Sequence, residues 1–273
     1  MTVAPKLKLL KQRQGDAPTI VQILPAMVRG GVERGTVEMA DAVQKHGGRA
    51  IVVSRGGPMV RHLDRLGITH YQLDVHTKNP FRWPQVRRRL QAILSRENAD
   101  LVHVRSRVPA WIALPAAAAL GIATVSTVHG RFIALSALKR IYNRKLLKTD
   151  HIIAISNYVK DLITSQYVDV EERLTVVHRG VDIDLFNPDN VNQTRIVNFV
   201  EGLAIPEDEP VIMLPARATK WKGHQVLLQA LAKIKDRPFI CLMIGTGDGK
   251  PAFVSELARY GQQLGLEGRF RLT

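Results

Sequence analysis

The stretch TIVQILPAMVRGGVERGTVEMA, residues 19–40, predicts a strand, a glycine turn and a helix in direct succession. The run TIVQIL is short, apolar and rich in β-branched residues, which is typical of a buried strand. A strand that leads through glycines into an amphipathic helix indicates one βα unit of a parallel sheet. The helix is predicted over Gly31–Lys45, with one side formed by Val32, Thr36, Ala40 and Val43.

The same alternation continues along the chain. Further strands are predicted at AIVVS, LVHVR, ATVSTV, HIIAIS and LTVVH, with a helix over Trp83–Arg96. These strands are apolar on both faces, which favours an α/β fold built on a parallel, doubly wound sheet. A polar stretch, residues 182–209, then predicts a linker that contains a short helix.

A second alternation follows the linker: the strand VIMLP, a helix over residues 223–235, the strand FICLMI, the turn GTGDG and a helix from about Phe253. We therefore expect a basic amino-terminal extension (residues 1–18), a Rossmann-like domain (19–190) and a second Rossmann-like domain (191–273). The second domain is expected to be incomplete, since a doubly wound domain usually needs more than about 100 residues.

Composition narrows the classes of partner. The 273 residues carry a net charge of +15, which indicates acidic partners such as nucleic acid, anionic lipid or phosphorylated small molecules. Nucleic acid is disfavoured, because aromatic residues make up only 5% and no recognition module is visible. The single cysteine, Cys241, lies in an apolar run and is predicted to be buried, and no metal site is indicated.

Two segments are candidates for an interaction with a membrane. Residues 108–128 carry no charge, but Pro109, Pro115 and Gly121 interrupt them, so a buried helix followed by a buried strand is favoured over a membrane span. Residues 131–150 predict a basic amphipathic helix, which suits either an anionic membrane surface or a core-packed position with a solvated basic face. The apolar residues of that helix are Leu138, Ile141, Tyr142 and Leu146.

Two loops in the second domain are candidates for binding a diphosphate. Arg217 and Lys222 follow the strand VIMLP, at the carboxyl end where open α/β sheets bind ligands. Gly245, Gly247 and Asp248 lie in the turn GTGDG at the next strand end, where backbone amides can bind anions. A solvated surface turn would explain either loop taken alone.

Three turns of the first domain are expected at one edge of its sheet. Gly30 and Gly31 precede a helix and let a ligand approach the backbone, although neither a dinucleotide fingerprint nor a P-loop is present. His129 follows the strand ATVSTV, with a packing role as its alternative. Arg105 and Arg107 follow the strand LVHV and are candidates for contacting an anionic acceptor.

Six motifs occur in the order and spacing of retaining glycosyltransferases of the family 4 type, which the chain resembles from Thr19 onward. The motifs are GGVERGTVEMA, STVHGRF, TDHIIAISNYVKDLI, VVHRGVDIDLFNP, ARATKWKGHQVLLQAL and IGTGDG. The stretch HVRSRVPAW resembles the lipopolysaccharide-core enzymes of alphaproteobacteria, many of which transfer mannose. The resemblance implies the GT-B architecture, with two facing doubly wound Rossmann-like domains and the second one truncated. Arg179 departs from the pattern, which often has asparagine there.

The resemblance also implies roles for the candidate residues. Arg217 and Lys222 would hold the donor diphosphate and stabilise its departure, and His129 would lie near the donor sugar. Gly31 would lie in the loop that faces the cleft, and the loop that begins at Gly245 would lie near the nucleotide. The donor would be a nucleotide-diphosphate sugar, and neither a cofactor nor a metal is expected.

The function expected from this resemblance is retaining transfer of a hexose, with mannose as the first candidate, to a lipid-linked or lipopolysaccharide-core acceptor. The enzyme would be cytoplasmic and peripheral on the cytosolic face of the inner membrane, with an anionic membrane surface as a partner and no nucleic acid. By this resemblance, an acidic motif of the family would be expected past residue 273. A catalytically inactive, membrane-associated binding fragment is therefore the alternative, and a basic nucleic-acid binder is a second one.

Overall fold

A computed structural model describes residues 17–130 and 132–273, apart from the side chain of Asp248. The chain divides into two compact units, the first ending at Gly180 and the second running from Val181 to Thr273. The sequence predicted this division after residue 190 instead. Most of the predicted amino-terminal extension, residues 1–16, lies outside the described residues.

The first unit is built on a parallel sheet of seven strands, in the order β3-β2-β1-β4-β5-β6-β7. The predicted parallel α/β fold is therefore confirmed. The strand β3 was not predicted, because its sequence THYQ is only partly buried and lacks an apolar run. The strands are Thr19–Ile23 (β1), Arg49–Ser54 (β2), Thr69–Gln72 (β3), Leu101–Val104 (β4), Ala123–Val128 (β5), His151–Ala154 (β6) and Leu174–Val176 (β7).

Helices cover both faces of this sheet. One face packs Ile23 and Val102 against Leu90 and Ile112 in a common cluster, and the other packs Val52 with Ala40 and its neighbours. Because successive strand residues point to opposite faces, Arg49–Ser54 contributes Ile51 and Val53 to the first cluster and Ala50 and Val52 to the second. The helices of this unit are Gly31–Lys45 (α1), Val60–Arg65 (α2), Trp83–Arg96 (α3), Arg107–Ala119 (α4), Ala137–Arg144 (α5) and Asn157–Thr164 (α6).

The uncharged segment 108–128 forms a buried helix followed by a buried strand, as predicted. Pro115 lies inside α4, and the core-facing residues of α4 pack against α3 and the sheet. Of the helices in residues 17–130 and 132–273, none combines the length and the apolarity that crossing a membrane requires.

The basic helix predicted over residues 131–150 is shorter than expected. It begins after Ser136, whose hydroxyl accepts a hydrogen bond from the Lys139 amide, and α5 is followed by a 3-10 turn over Lys145–Leu147. The predicted apolar face is also divided in two. Leu138 is 81% exposed and Ile141 is 60% exposed, whereas Leu146 is only 3% exposed and belongs to the core.

The second unit holds a three-stranded parallel sheet in the order β10-β9-β8. The predicted strands VIMLP and FICLMI and their helices are confirmed. Cys241 is buried in this core as predicted, and burial raises the pKa of its thiol to about 11. The elements are Gln193–Gly202 (α7), Val211–Met213 (β8), His224–Ala232 (α8), Ile240–Met243 (β9), Pro251–Gln263 (α9) and Phe270–Leu272 (β10).

Candidate functional site

The carboxyl ends of three neighbouring strands bring the predicted residues of the first unit together. The strands β1, β4 and β5 are adjacent in the sheet, and they lead into Gly30, Arg105 and His129 respectively. The chain order reverses direction between β1 and β4, which is the position where open α/β sheets bind ligands. The turn that follows β4 is fixed to β1 because the Arg105 amide donates a hydrogen bond to the Ile23 carbonyl at 3.0 Å.

A cavity of about 260 Å³ opens between these turns. Its wall combines cationic, hydroxyl and imidazole groups with a few apolar side chains, a mixture that suits a polar, anionic ligand. The lining residues that bear on the chemistry are Arg105, Arg107, Thr127, His129, Phe132 and Leu146.

Arg105 is a buried cation in this wall, with only 6% of its surface exposed. One terminal nitrogen donates a hydrogen bond to the Gln22 side-chain oxygen at 2.7 Å, and Gln22 in turn donates to the Thr36 carbonyl at 3.0 Å. Its Nε is buried and has no hydrogen-bond partner among the described residues. Burial, and then the charge of Arg179, lower the pKa of Arg105 to about 10.

His129 is held in the neutral form. Both ring nitrogens are buried without a hydrogen-bond partner in the described part of the chain. Burial, followed by the charges of Arg105 and Arg179, lowers the pKa of His129 to about 3. A neutral imidazole offers one donor and one acceptor, so at neutral pH His129 can orient a ligand hydroxyl but cannot supply a positive charge.

The neighbouring His103 lies behind the cavity wall. Its Nε2 is 2.7 Å from the Thr127 hydroxyl, and Thr127 lines the cavity. Burial, together with the nearby Arg105 and His129, lowers the pKa of His103 well below its usual value. His103 therefore fixes the Thr127 hydroxyl as a neutral hydrogen-bonding partner.

Arg107 joins the cavity to helix α5. Its Nη1 donates a hydrogen bond to the Asn143 side-chain oxygen at 2.9 Å, and its guanidinium carbon lies 5.5 Å from the centre of the Phe132 ring. Asn143 is fully buried. Arg107 thus contributes positive charge to the wall and also holds α5 in position.

Arg179 is a further cation at this edge, and the sequence singled it out only as a departure from a pattern. One of its terminal nitrogens lies 3.8 Å from the Glu38 carboxylate on α1. A Cβ atom at Gly31 would stand 2.8 Å from Arg179 Nη1, and a Cβ at Gly35 would stand 2.7 Å from Arg179 Nη2. The two glycines therefore leave room for Arg179 to lie against the first turns of α1.

In the second unit, the two predicted loops lie side by side. The Ala216 amide donates a hydrogen bond to the Ile244 carbonyl at 2.8 Å, and a Cβ at Gly249 would stand 2.7 Å from the Cβ of Ala218. Gly245 has a φ of +93°, which favours glycine there. The loop that carries Arg217 and Lys222 is thus packed against the glycine turn.

The two cations of that loop are exposed. The ammonium of Lys222 lies 4.3 Å from the centre of the Trp221 ring, and Trp221 is itself 77% exposed. Gly223 follows with a φ of +84° and directly precedes α8, so the helix starts just after the cations. The predicted role of Arg217 and Lys222 in binding a diphosphate stays a prediction.

The backbone amides of the glycine turn have a partner within the second unit. The amides of Gly245, Thr246 and Gly247 donate hydrogen bonds to the Thr273 carbonyl at 3.0, 2.8 and 3.4 Å. An anion would have to displace that carbonyl to reach them, so their predicted role as donors to a diphosphate stays a prediction. The side chain of Asp248 lies outside the described atoms, and its role is likewise a prediction.

Comparison with known protein families identifies one family whose model matches this chain. The model of Glycosyltransferase Family 4 matches residues 29–185 of this chain. Among solved structures, a glycosyltransferase from Rickettsia africae ESF-5 is 35% identical with a TM-score of 0.83, and the match covers 94% of this chain and 68% of that one. Anabaena Alr3699/HepE, solved with UDP and glucose, is similar in fold, with a TM-score of 0.77 at 18% identity over 93% of this chain and 68% of that one.

Curated relatives match over shorter stretches. A D-inositol 3-phosphate glycosyltransferase from Xylanimonas cellulosilytica is 32% identical over 111 residues, which are 40% of this chain and 26% of that protein. Spore coat protein SA from Bacillus subtilis is 25% identical over 159 residues, which are 57% of this chain and 42% of that protein. The matched part of the chain thus spans less than half the length of these relatives.

Proposed function

Because this chain belongs to glycosyltransferase family 4, we propose that it acts in the transfer of a hexose from a nucleotide-diphosphate sugar to an anionic acceptor. The first candidate for the sugar is mannose, and the first candidates for the acceptor are lipid-linked or lipopolysaccharide-core saccharides. Transfer would retain the anomeric configuration. The α/β fold, with a parallel sheet of seven strands, agrees with that of its glycosyltransferase neighbours of the GT-B type.

The observation that carries this proposal is the cationic cavity at the carboxyl edge of the first sheet. Arg105 and Arg107 line it beside a neutral His129. Anionic substrates are favoured in such a cavity, because charge-assisted hydrogen bonds from guanidinium groups are the strong ones. Support for a nucleotide-sugar donor comes from Anabaena HepE, which shares the fold and was solved with UDP-glucose.

The proposed chemistry assigns a separate task to each unit. When the bond between the sugar and the diphosphate breaks, negative charge develops on the departing oxygens, and Arg217 and Lys222 would stabilise it. Only an interaction that strengthens during this step accelerates it, and preorganised cations meet that condition. His129 would orient a sugar or acceptor hydroxyl by hydrogen bonding, since its neutral ring adds no charge to the site.

An anionic acceptor at a membrane surface is supported by helix α5 and by the relatives. The exposed Leu138 and Ile141 stand on a helix that also presents Lys139, Arg140 and Arg144 to solvent. Apolar side chains among cations suit the cytosolic face of an anionic inner membrane. The name of the Xylanimonas relative specifies a phosphorylated acceptor, which is also anionic.

The test is a donor screen followed by a transfer assay. Binding of UDP-, GDP- and ADP-sugars is measured by calorimetry, and transfer to lipid acceptors is followed with the donor that binds. Arg217→Ala and Lys222→Ala should each lower kcat on the order of 10²-fold or more, because each removes a group that stabilises the leaving charge. Lys233→Ala, at an exposed lysine after α8, is the matched control.

Two results would count against the proposal. Unchanged turnover in Arg217→Ala and Lys222→Ala would remove the proposed role of both cations. Acceptor or donor binding without any transfer would favour the alternative of an inactive, membrane-associated binding fragment.

A further inference from the structure

Two guanidinium groups of the first unit converge on one point of helix α1. A Cβ at Gly35 would stand 2.7 Å from Arg179 Nη2 and 3.2 Å from Arg105 Nη2. The two arginines come from turns far apart in the sequence, after β4 and after β7. Like charges at such proximity repel, and after burial the charge of Arg179 is the next cause of the lowered pKa of Arg105.

The described side chains around this pair neutralise its positive charge only in part. Arg105 donates to the side-chain oxygen of Gln22, which is uncharged. Arg179 has the Glu38 carboxylate at 3.8 Å, but the other oxygen of Glu38 is 2.7 Å from the Nε of Arg34. Glu33 in the first turn of α1 also acts on Arg105, since its charge favours the protonated guanidinium. Two carboxylates are therefore shared among Arg34, Arg105 and Arg179, and one positive charge remains in excess.

The pair also lies where a ligand can reach it. Arg105 lines the cavity, and its buried Nε has no hydrogen-bond partner among the described residues. Gly31 begins the 15-residue helix α1. A Cβ atom added at Gly31 would stand 2.8 Å from Arg179 Nη1, so Arg179 lies against the start of this helix. The positive end of the helix dipole favours an anion at this place, where the Glu33 carboxylate of the first turn already lies beside Gly30.

From these observations we infer that Arg105 and Arg179 form a clamp for a phosphate group of the acceptor. This inference rests on the proposed function, since it names the chemical group by which the acceptor is held. A phosphate monoester carries close to two negative charges and three acceptor oxygens, which match two guanidinium groups and a helix terminus. The donor diphosphate is assigned to the second unit, so the clamp serves a different phosphate.

Glu38 acts as the internal occupant of the empty clamp. Its carboxylate partly neutralises Arg179 when no ligand is bound, and a phosphate has to displace it. Glu38→Gln should therefore strengthen phosphate binding. This change has the opposite sign from the loss expected on removing a cation. A general change of surface charge would give the same two signs with a smaller size, so a matched arginine outside the site is needed as the control.

The experiment is calorimetric titration of the chain with glycerol 3-phosphate, inorganic phosphate, glycerol and UDP. Wild type should bind both phosphate probes and not glycerol. Arg179→Gln should weaken phosphate binding by about tenfold or more, because a charged hydrogen-bonding partner is lost. Arg61→Gln, at an exposed arginine on α2, is the matched control and should leave binding unchanged.

Gly35→Ala provides a second variant that separates binding from folding. Alanine favours a helix interior over glycine, so the variant should fold at least as well as wild type. The new Cβ would nevertheless displace the guanidinium groups that stand 2.7 Å and 3.2 Å away. We expect phosphate affinity to fall by about tenfold while resistance to urea is kept or increased.

UDP distinguishes the clamp from the donor site. If the clamp holds the acceptor, UDP affinity is the same in Arg179→Gln as in wild type. An equal loss of UDP and phosphate affinity would overturn the inference and assign Arg179 to the donor. Equal phosphate affinity in wild type and Arg179→Gln would also overturn it. Failure of UDP to bind any variant would count against the proposed function, while the phosphate titrations would still test the clamp.

Discussion

The neutral state of His129 predicts a measurable dependence of stability on pH. In the folded protein the pKa of His129 is lowered from 6.5 to about 3. Below about pH 6.5 the unfolded chain therefore binds a proton that the folded chain does not. The free energy of unfolding should fall as pH is lowered through this window, by about 1.4 kcal/mol per pH unit, and level off near pH 3.

Between about pH 6.5 and about pH 5 this linkage amounts to about 2 kcal/mol from His129 alone. The measurement is urea denaturation of wild type and His129→Gln at about pH 7.5 and about pH 5. Fluorescence of Trp83 and Trp111, which stack at 5.8 Å in the first unit, reports unfolding. A Trp221→Phe background removes the signal of the second unit.

Glutamine keeps a neutral hydrogen-bonding side chain but does not titrate, so the variant should lose about 2 kcal/mol less stability on acidification. His62→Gln, at an exposed position on α2, controls for the removal of a histidine as such. His103 contributes with the same sign in both proteins, since burial and Arg105 are the larger causes of its lowered pKa, and only the small part due to His129 itself does not cancel in the difference. An identical loss of stability in wild type and His129→Gln would refute the reasoning.

Three further predictions concern other parts of the first unit. Glu97→Gln should lower the unfolding free energy by about 1–3 kcal/mol, because Glu97 is buried and accepts hydrogen bonds from Tyr71 and two arginines. A hydrogen bond from Tyr71 lowers the pKa of Glu97 below 4.5, so the stability it provides is present above that pH and lost on further acidification, as acid titration would show. The double variant Leu138→Ser and Ile141→Ser should weaken sedimentation with anionic vesicles while leaving urea denaturation unchanged, since both side chains are exposed; undiminished vesicle binding would exclude α5 as the docking surface. Leu90→Ala should cost about 2–5 kcal/mol in urea denaturation, because Leu90 is fully buried between α3 and the sheet, and a loss well under 1 kcal/mol would contradict this packing.

The parts of the fold that local patterns determine could be predicted closely. The helices α1 and α3 have the predicted bounds, because apolar periodicity and flanking glycine or proline define a helix within a short window. The strand β3 escaped prediction because its partly buried residues lack an apolar run. The helix predicted over residues 131–150 was too long, because a continuous amphipathic pattern concealed the cap at Ser136.

The candidate site was likewise predictable only where local sequence patterns determine it. Gly31, Arg105 and His129 could be placed at one edge, since parallel strands end together. The contact of Arg179 with α1 could not be predicted, because no local pattern connects a turn after β7 with glycines on the first helix. The departure from asparagine at this position was the only signal in the sequence.

The positions of the clamp residues along the chain also determine when the clamp can form during synthesis on the ribosome. The bond between Gln22 and Arg105 joins residues 83 positions apart, and Arg179 arrives only with the last strand of the sheet. Such non-local pairing forms slowly, since a long loop must close first. The nascent chain should therefore remain unable to hold a phosphate until residue 179 has emerged, even after β1 and α1 are made.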